Sequence, residues 1–140
     1  MANDFNLILG MPGTGKTHTI AILTNILLDL GYKILITTYT NSALDNLLIK
    51  ILELFPDKEK FSVRISNSEK HITDPIIKRI FYDRKKINNT LEMKKNFEEK
   101  KLFGVTNLSA SQPLICKKNK IYIFIYNNNG MKKKKVKNIF

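Results

Sequence analysis

Gly10-Met11-Pro12-Gly13-Thr14-Gly15-Lys16-Thr17 fits the phosphate-binding template G-x-x-x-x-G-K-[ST] at every position. The apolar run Phe5-Asn6-Leu7-Ile8-Leu9 before it reads as a short buried strand, and Thr17 to Leu30 after it reads as a helix closed by Gly31. Strand, glycine-rich turn and helix are the context in which such a motif has structural meaning. Its glycines let backbone N–H groups converge on phosphate oxygens, and the helix N-terminus adds a favourable dipole. Gly10, Pro12, Gly13, Thr14 and Gly15 are therefore the candidate cradle. Lys16 is placed to reach the β/γ-phosphates, and the Thr17 hydroxyl to ligate Mg²⁺ brought with ATP. The bland alternative is a chance glycine-rich turn.

Working outward, the first helix carries Ile20, Leu23, Ile26, Leu27 and Leu30 at helical spacing. Lys33-Ile34-Leu35-Ile36-Thr37-Thr38 follows as a second buried strand. Ser42 and Asp45 have the spacing of a capping box for a helix lined by Leu44, Leu47, Leu48, Ile51, Leu52 and Phe55, which Pro56 stops. A βαβα order over the first 55 residues predicts a parallel sheet with right-handed crossovers. Further along, Phe61–Ile65, Leu102–Thr106 and Ile121–Tyr126 read as strands, with the glycine at 104 counting against the second of these. Asp74 or Thr73 is positioned to cap a helix through Ile76, Ile77, Ile80 and Phe81, with Pro75 in its first turn. Asp83 to Lys101 reads as an exposed charged helix, and residues 127–140 as a Lys/Asn-rich disordered tail on a domain of residues 1–126.

Composition narrows the class. The chain has 140 residues and a net charge of +12, with one cysteine, Cys116, and two histidines, His18 and His71. One cysteine builds no internal disulfide framework and fits a reducing compartment, and the histidines and Cys116 are too dispersed for a zinc site. No stretch has the length of a transmembrane helix, and no N-terminal segment has the design of a signal peptide. The charge is unevenly placed: residues 1–70 balance, and residues 71–140 carry the whole excess. A basic half beside a neutral nucleotide-binding half suits a polyanion such as nucleic acid, while coding bias or disorder explains the same lysines equally well.

With Thr37–Asn46 reading T-T-Y-T-N-S-A-L-D-N beside the Gly10–Thr17 motif, the sequence resembles the superfamily 1 helicases, nearest to the DNA-replication helicase/nuclease group. Val63-Arg64-Ile65 leading to His71 and Pro75, and Leu102–Thr106 leading to Gln112-Pro113, add weaker support. The resemblance spans about residues 5–126. It implies an α/β fold of the P-loop NTPase type, a RecA-like open parallel sheet flanked by helices and here truncated. It also implies ATP and Mg²⁺ as cofactors, a nuclear location and single-stranded nucleic acid as partner, DNA before RNA; oligomeric state stays open. By that resemblance Thr38, Thr40, Asn41 and Asn46 touch the strand's backbone, and Lys16 and Thr17 serve catalysis. Short hydroxyl and amide side chains at a strand's C-terminal end suit phosphate contacts in any case, although capping and turn roles account for them too. Tyr39 reads equally as a stacking platform or a packing residue.

The departures point to a catalytically incomplete fragment. The family's aspartate–glutamate pair is expected at the end of the strand Ile121–Tyr126, where this chain has Asn127-Asn128. A neutral amide neither acts as general base nor balances Mg²⁺. The adenine-reading glutamine, the second motor domain and its arginine finger also have no counterpart. Two other readings stay open. One is a free-standing nucleotide-binding module such as a small P-loop kinase or GTPase, although guanine-reading Asn-Lys-x-Asp is missing. The other is a non-catalytic basic nucleic-acid-binding protein.

Overall fold

The structure is a computed structural model that describes residues 11, 13–70, 72–83, 97–107 and 120–125. The proposed strand Phe5–Leu9, the charged segment 84–96, His71, Gln112-Pro113 and the tail from Tyr126 lie outside the described residues. What is described is a five-stranded sheet in which every pairing is parallel. Its strands are β1 (Lys33–Thr38), β2 (Ser62–Ser66), β3 (Phe81–Asp83), β4 (Leu102–Thr106) and β5 (Lys120–Ile125), in the spatial order β3-β2-β4-β1-β5. Among the described residues, α1 (Lys16–Asp29) leads into β1, α2 (Asn41–Leu54) connects β1 to β2, and α3 (Pro75–Ile80) connects β2 to β3. The expected parallel α/β sheet is therefore present. Among the described residues no helix is long and apolar enough to cross a membrane.

Local chemistry sets the boundaries. α1 ends where Gly31 takes φ +88°. The Gly31 amide donates to Leu28 O and the Tyr32 amide to Leu27 O, a Schellman closure that satisfies the last carbonyls and turns the chain into β1. α2 starts at Thr40, not at the expected Ser42/Asp45 box. The Thr40 hydroxyl accepts from the Ala43 amide at 3.2 Å, because Thr40 is the last extended residue and Ser42 already lies inside the helix. Pro56 ends α2 as expected and opens a 3-10 turn, Pro56–Phe61, that leads into β2. Asp74 caps α3 by accepting from the Ile76 amide at 2.7 Å. α3 stops one residue earlier than its apolar pattern suggests: Phe81 joins β3, a three-residue strand too short for periodicity to reveal.

Alternation along the strands divides the core in two. Ile34, Ile36 and Leu102 pack with Leu44, Leu47, Leu48 and Ile51 of α2, with Ala21 and Leu28 of α1, and with Ile77 and Ile80 of α3. The odd positions Leu35, Val63, Ile65, Phe103 and Val105 form a second cluster closed by Phe97, whose ring meets Tyr82 and Phe103 edge-on. Gly104 belongs to the first face. A Cβ there would stand 2.7 Å from Leu48 Cδ1, so the missing side chain is what allows α2 to lie against β4.

One expectation is corrected. The predicted apolar stripe of α1 is buried only in part: Ile20 and Leu27 pack against the core, but Leu23, Ile26 and Leu30 are 37%, 49% and 67% exposed, while Ala21, Thr24 and Leu28 are buried. α1 is apolar around most of its circumference, so spacing does not select a face. Small Ala21 permits close approach to α2, and that contact sets the rotation.

Candidate nucleotide and strand site

α1 begins without a side-chain cap and without an acidic residue in its first turn, so its positive end faces outward uncompensated. Gly13 and Gly15 before it adopt φ +81° and +79°, a region in which other residues are strained, and open space lies where their Cβ atoms would be. The turn closes on one carbonyl. Met11 O accepts from the Thr14 amide at 3.3 Å, from the Thr14 hydroxyl at 2.8 Å and from Lys16 Nζ at 2.5 Å. Lys16 thus folds back over the loop at its mouth, and Thr17 is exposed beside it. Positive-φ glycines, an open helix N-terminus and an ammonium at the rim form a cradle of donors that fits a phosphate chain. Gly10 and Pro12 fall outside the described residues.

The same edge of the sheet carries the second motif. α1 and β1 are joined by a tight turn, and Lys58, just before β2, pairs with Asp29 at the end of α1 at 2.5 Å. The end of α1 therefore lies beside the strands' beginnings. A helix of 14 residues spans about 21 Å, enough to return its first turn to the strands' C-terminal edge. There β1 ends in Thr37 and Thr38, both fully buried. The Thr37 hydroxyl bonds to Asn107 Oδ1 just past β4, and the Thr38 hydroxyl donates to Thr40 O at 2.7 Å. Tyr39, 76% exposed, stands out between them.

Of the four strand-contact candidates, Thr40 is exposed and caps α2, Asn41 is half-buried, and Thr38 shapes the turn from below. Asn46 is exposed one turn further along α2, on a different side from Asn41, so the four do not converge on one point. β5 runs parallel to β1 with Ile125 in register with Thr38, so it ends at this edge too. Asn127-Asn128 lie outside the described residues.

Sequence reasoning missed one member of the site. Arg64, on β2, is 1% exposed; its Nε donates to Asp45 Oδ1 and its Nη2 to Asn41 Oδ1, each at 2.7 Å. The signal lay in Phe61-Ser62-Val63-Arg64-Ile65-Ser66, where an arginine interrupts a buried strand and has to find partners. No group of three or more His, Cys, Asp or Glu gathers for a metal among the described residues.

A parallel sheet with helices packed on it and a glycine-rich loop opening the first helix defines a P-loop NTPase of the RecA-like kind, a fold with general capacity for nucleotide. The chain belongs to the AAA domain family, whose profile matches residues 1–138. Within it, the sequence is related to the DNA replication ATP-dependent helicase/nuclease DNA2. It is 43% identical to the Xenopus laevis protein over 75 aligned residues, which cover 44% of this chain and 7% of that protein. Against the Homo sapiens protein it is 53% identical over 51 residues, 36% of this chain and 5% of that protein. Against the Saccharomyces cerevisiae protein the identity is 58% over 50 residues, 36% and 3% respectively. The matched segment is thus a small part of each relative. No solved structure matches the chain.

Proposed function

We propose that these residues are the phosphate-binding and strand-contacting part of the first motor domain of an ATP-dependent DNA helicase of the replication helicase/nuclease type. What supports the reading is an uncapped, glycine-rich start of α1 together with the Thr38–Asn41 turn that ends β1 of a parallel sheet. Gly10, Pro12, Gly13, Thr14 and Gly15 cradle the phosphates, Lys16 carries the charge facing the transferred phosphoryl group, and Thr17 holds Mg²⁺. When bound, ATP·Mg²⁺ supplies the phosphoanhydride whose cleavage drives intact motors. Thr40, Asn41 and Asn46 meet a single strand's phosphates, with Thr38 holding the turn and Tyr39 available for stacking. A nuclear location and DNA as the strand rest on the relatives' role in DNA replication.

The 140 residues alone are proposed to be inactive as a motor. With amides at Asn127-Asn128 where the resemblance puts an aspartate–glutamate pair, the expected loss is about 10²- to 10⁴-fold in rate.

Calorimetric titration of ATP·Mg²⁺ into the full chain and into Lys16→Ala tests the reading. Saturable binding that the substitution abolishes supports it; equal binding by both refutes the role of Lys16. Phosphate release should stay at background with and without single-stranded DNA. DNA-stimulated turnover lost in Lys16→Ala would refute the catalytic incompleteness.

A further inference from the structure

Arg64 is a fixed-charge cation on the inner face of a strand, and burial makes such a group costly unless every donor is used. Its Nη1 donates to the carbonyl of Ile65 at 2.7 Å, while Nε and Nη2 reach out of the sheet to Asp45 and Asn41 in the first turns of α2. The strand between β2 and β1 makes the reach possible. Arg64 is in register with Gly104, and Gly104 with Ile36, so at this level of the sheet α2 can lie close. Asp45 is itself mostly buried, with 15% of its side chain exposed.

The chemistry of the Arg64–Asn41 bond sets a direction. A guanidinium has donors and no acceptor, so the amide meets it through Oδ1 alone. Fixing Oδ1 fixes the flip of the amide, and Nδ2 with its two N–H groups is turned away from Arg64. Among the described residues Nδ2 holds no acceptor, and Asn41 is half-buried beside exposed Thr40 and Tyr39. We propose that Arg64 is a positioning residue that orients the Asn41 amide so that its NH₂ group donates to a phosphate of a single strand on the sheet's C-terminal edge. The inference rests on the strand-contact reading above and adds the group that gives Asn41 its polarity.

The test uses the full chain, a short fluorescent oligothymidylate read by anisotropy, and thermal melting. Asn41→Asp keeps an acceptor for Arg64, so melting should hold or rise. It replaces the outward donors by a negative oxygen, and affinity should fall by about tenfold or more, the scale of a hydrogen bond to a charged group. Arg64→Met with Asp45→Leu exchanges the buried pair for apolar groups, a swap that leaves melting near the parent. With Asn41 released to turn, affinity should still drop by about fivefold, part of one such bond. If the Arg64→Met/Asp45→Leu variant melts like the parent and binds as tightly, the proposal is overturned and the strand-contact reading survives; if Asn41→Asp does so, the proposal is overturned and Asn41 leaves the strand contacts too. If affinity falls only in step with melting in both, Arg64 is merely structural and the proposal is again overturned. A parent chain that binds no oligothymidylate overturns the strand-contact reading and this inference with it.

Discussion

Replacing Gly104 by alanine tests the packing that holds α2, and with it the strand-contact turn, against the sheet. The new Cβ would lie 2.7 Å from Leu48 Cδ1, 3.4 Å from Leu44 Cδ1 and 3.5 Å from Leu48 Cδ2. Carbon pairs settle at about 3.5–4.0 Å, so Leu48 has to move by roughly 1 Å within a filled core. Leu48 is fully buried, as are Leu44 and Ile51 on the same helix face, so its branch has little room. Overpacking of this kind costs about 1–3 kcal/mol. Stiffening of the unfolded chain returns about 0.4–1 kcal/mol. The net expectation is about 1–2 kcal/mol of destabilisation, read as a lower urea midpoint at unchanged slope. Leu48→Ala alone should cost about 2–5 kcal/mol through its cavity. When the two substitutions are combined, the methyl introduced on β4 occupies part of that cavity, so the double variant should be at least about 1 kcal/mol more stable than additivity predicts. Additive costs, or a Gly104→Ala chain as stable as the parent, would refute the account of why a glycine stands in β4.

Thr24 is fully buried on α1 and its hydroxyl has no partner among the described residues, so the near-isosteric Thr24→Val should raise stability by about 1 kcal/mol in the same urea assay. Thr40→Ala removes the cap of α2 and should cost about 1 kcal/mol, with Thr40→Asp retaining most of it, as followed by helical circular dichroism during unfolding. Glu59 is held below the ordinary carboxylate range by its two hydrogen bonds from Arg79, and Asp57 by its bond from Lys58. Their folded carboxyls give up protons more readily than the unfolded ones, so this contribution is complete above the ordinary carboxylate range and fades as pH falls through the lowered values. Arg79→Met should therefore lower the neutral plateau of a stability–pH curve slightly, since the pair is exposed, and leave its acid end unchanged, so the acid limb flattens by the same small amount.

The parallel sheet was legible because it is written in local signals: Gly31 and Pro56 bound two helices around one buried strand, and each boundary held to within a residue or two. The glycine-rich loop was legible for a similar reason, since its φ values and helix start follow from neighbours in sequence. What was not legible depended on residues far apart. The buried face of α1 is chosen by α2, and a helix apolar on most sides offers no sequence cue to that choice. The role of Asp45 as a partner of Arg64 instead of a cap required knowing that β4 presents a glycine between them. In sequence Gly104 looks like a weakness in a strand, whereas its absent side chain is the fit between strand and helix.

The position of β1 has a kinetic consequence. Its two neighbours are β4, reached at Leu102, and β5, reached at Lys120, so neither flank of β1 can be paired until the later part of the chain exists. During synthesis α1, β1 and α2 emerge before β4 and β5, as two helices flanking an apolar strand whose final neighbours are still to come. Non-local parallel pairing of this kind is slow and leaves such a strand open to wrong partners. Folding of the sheet thus waits on its last strands, and a ribosome paused before residue 102 holds out β1 with both edges bare.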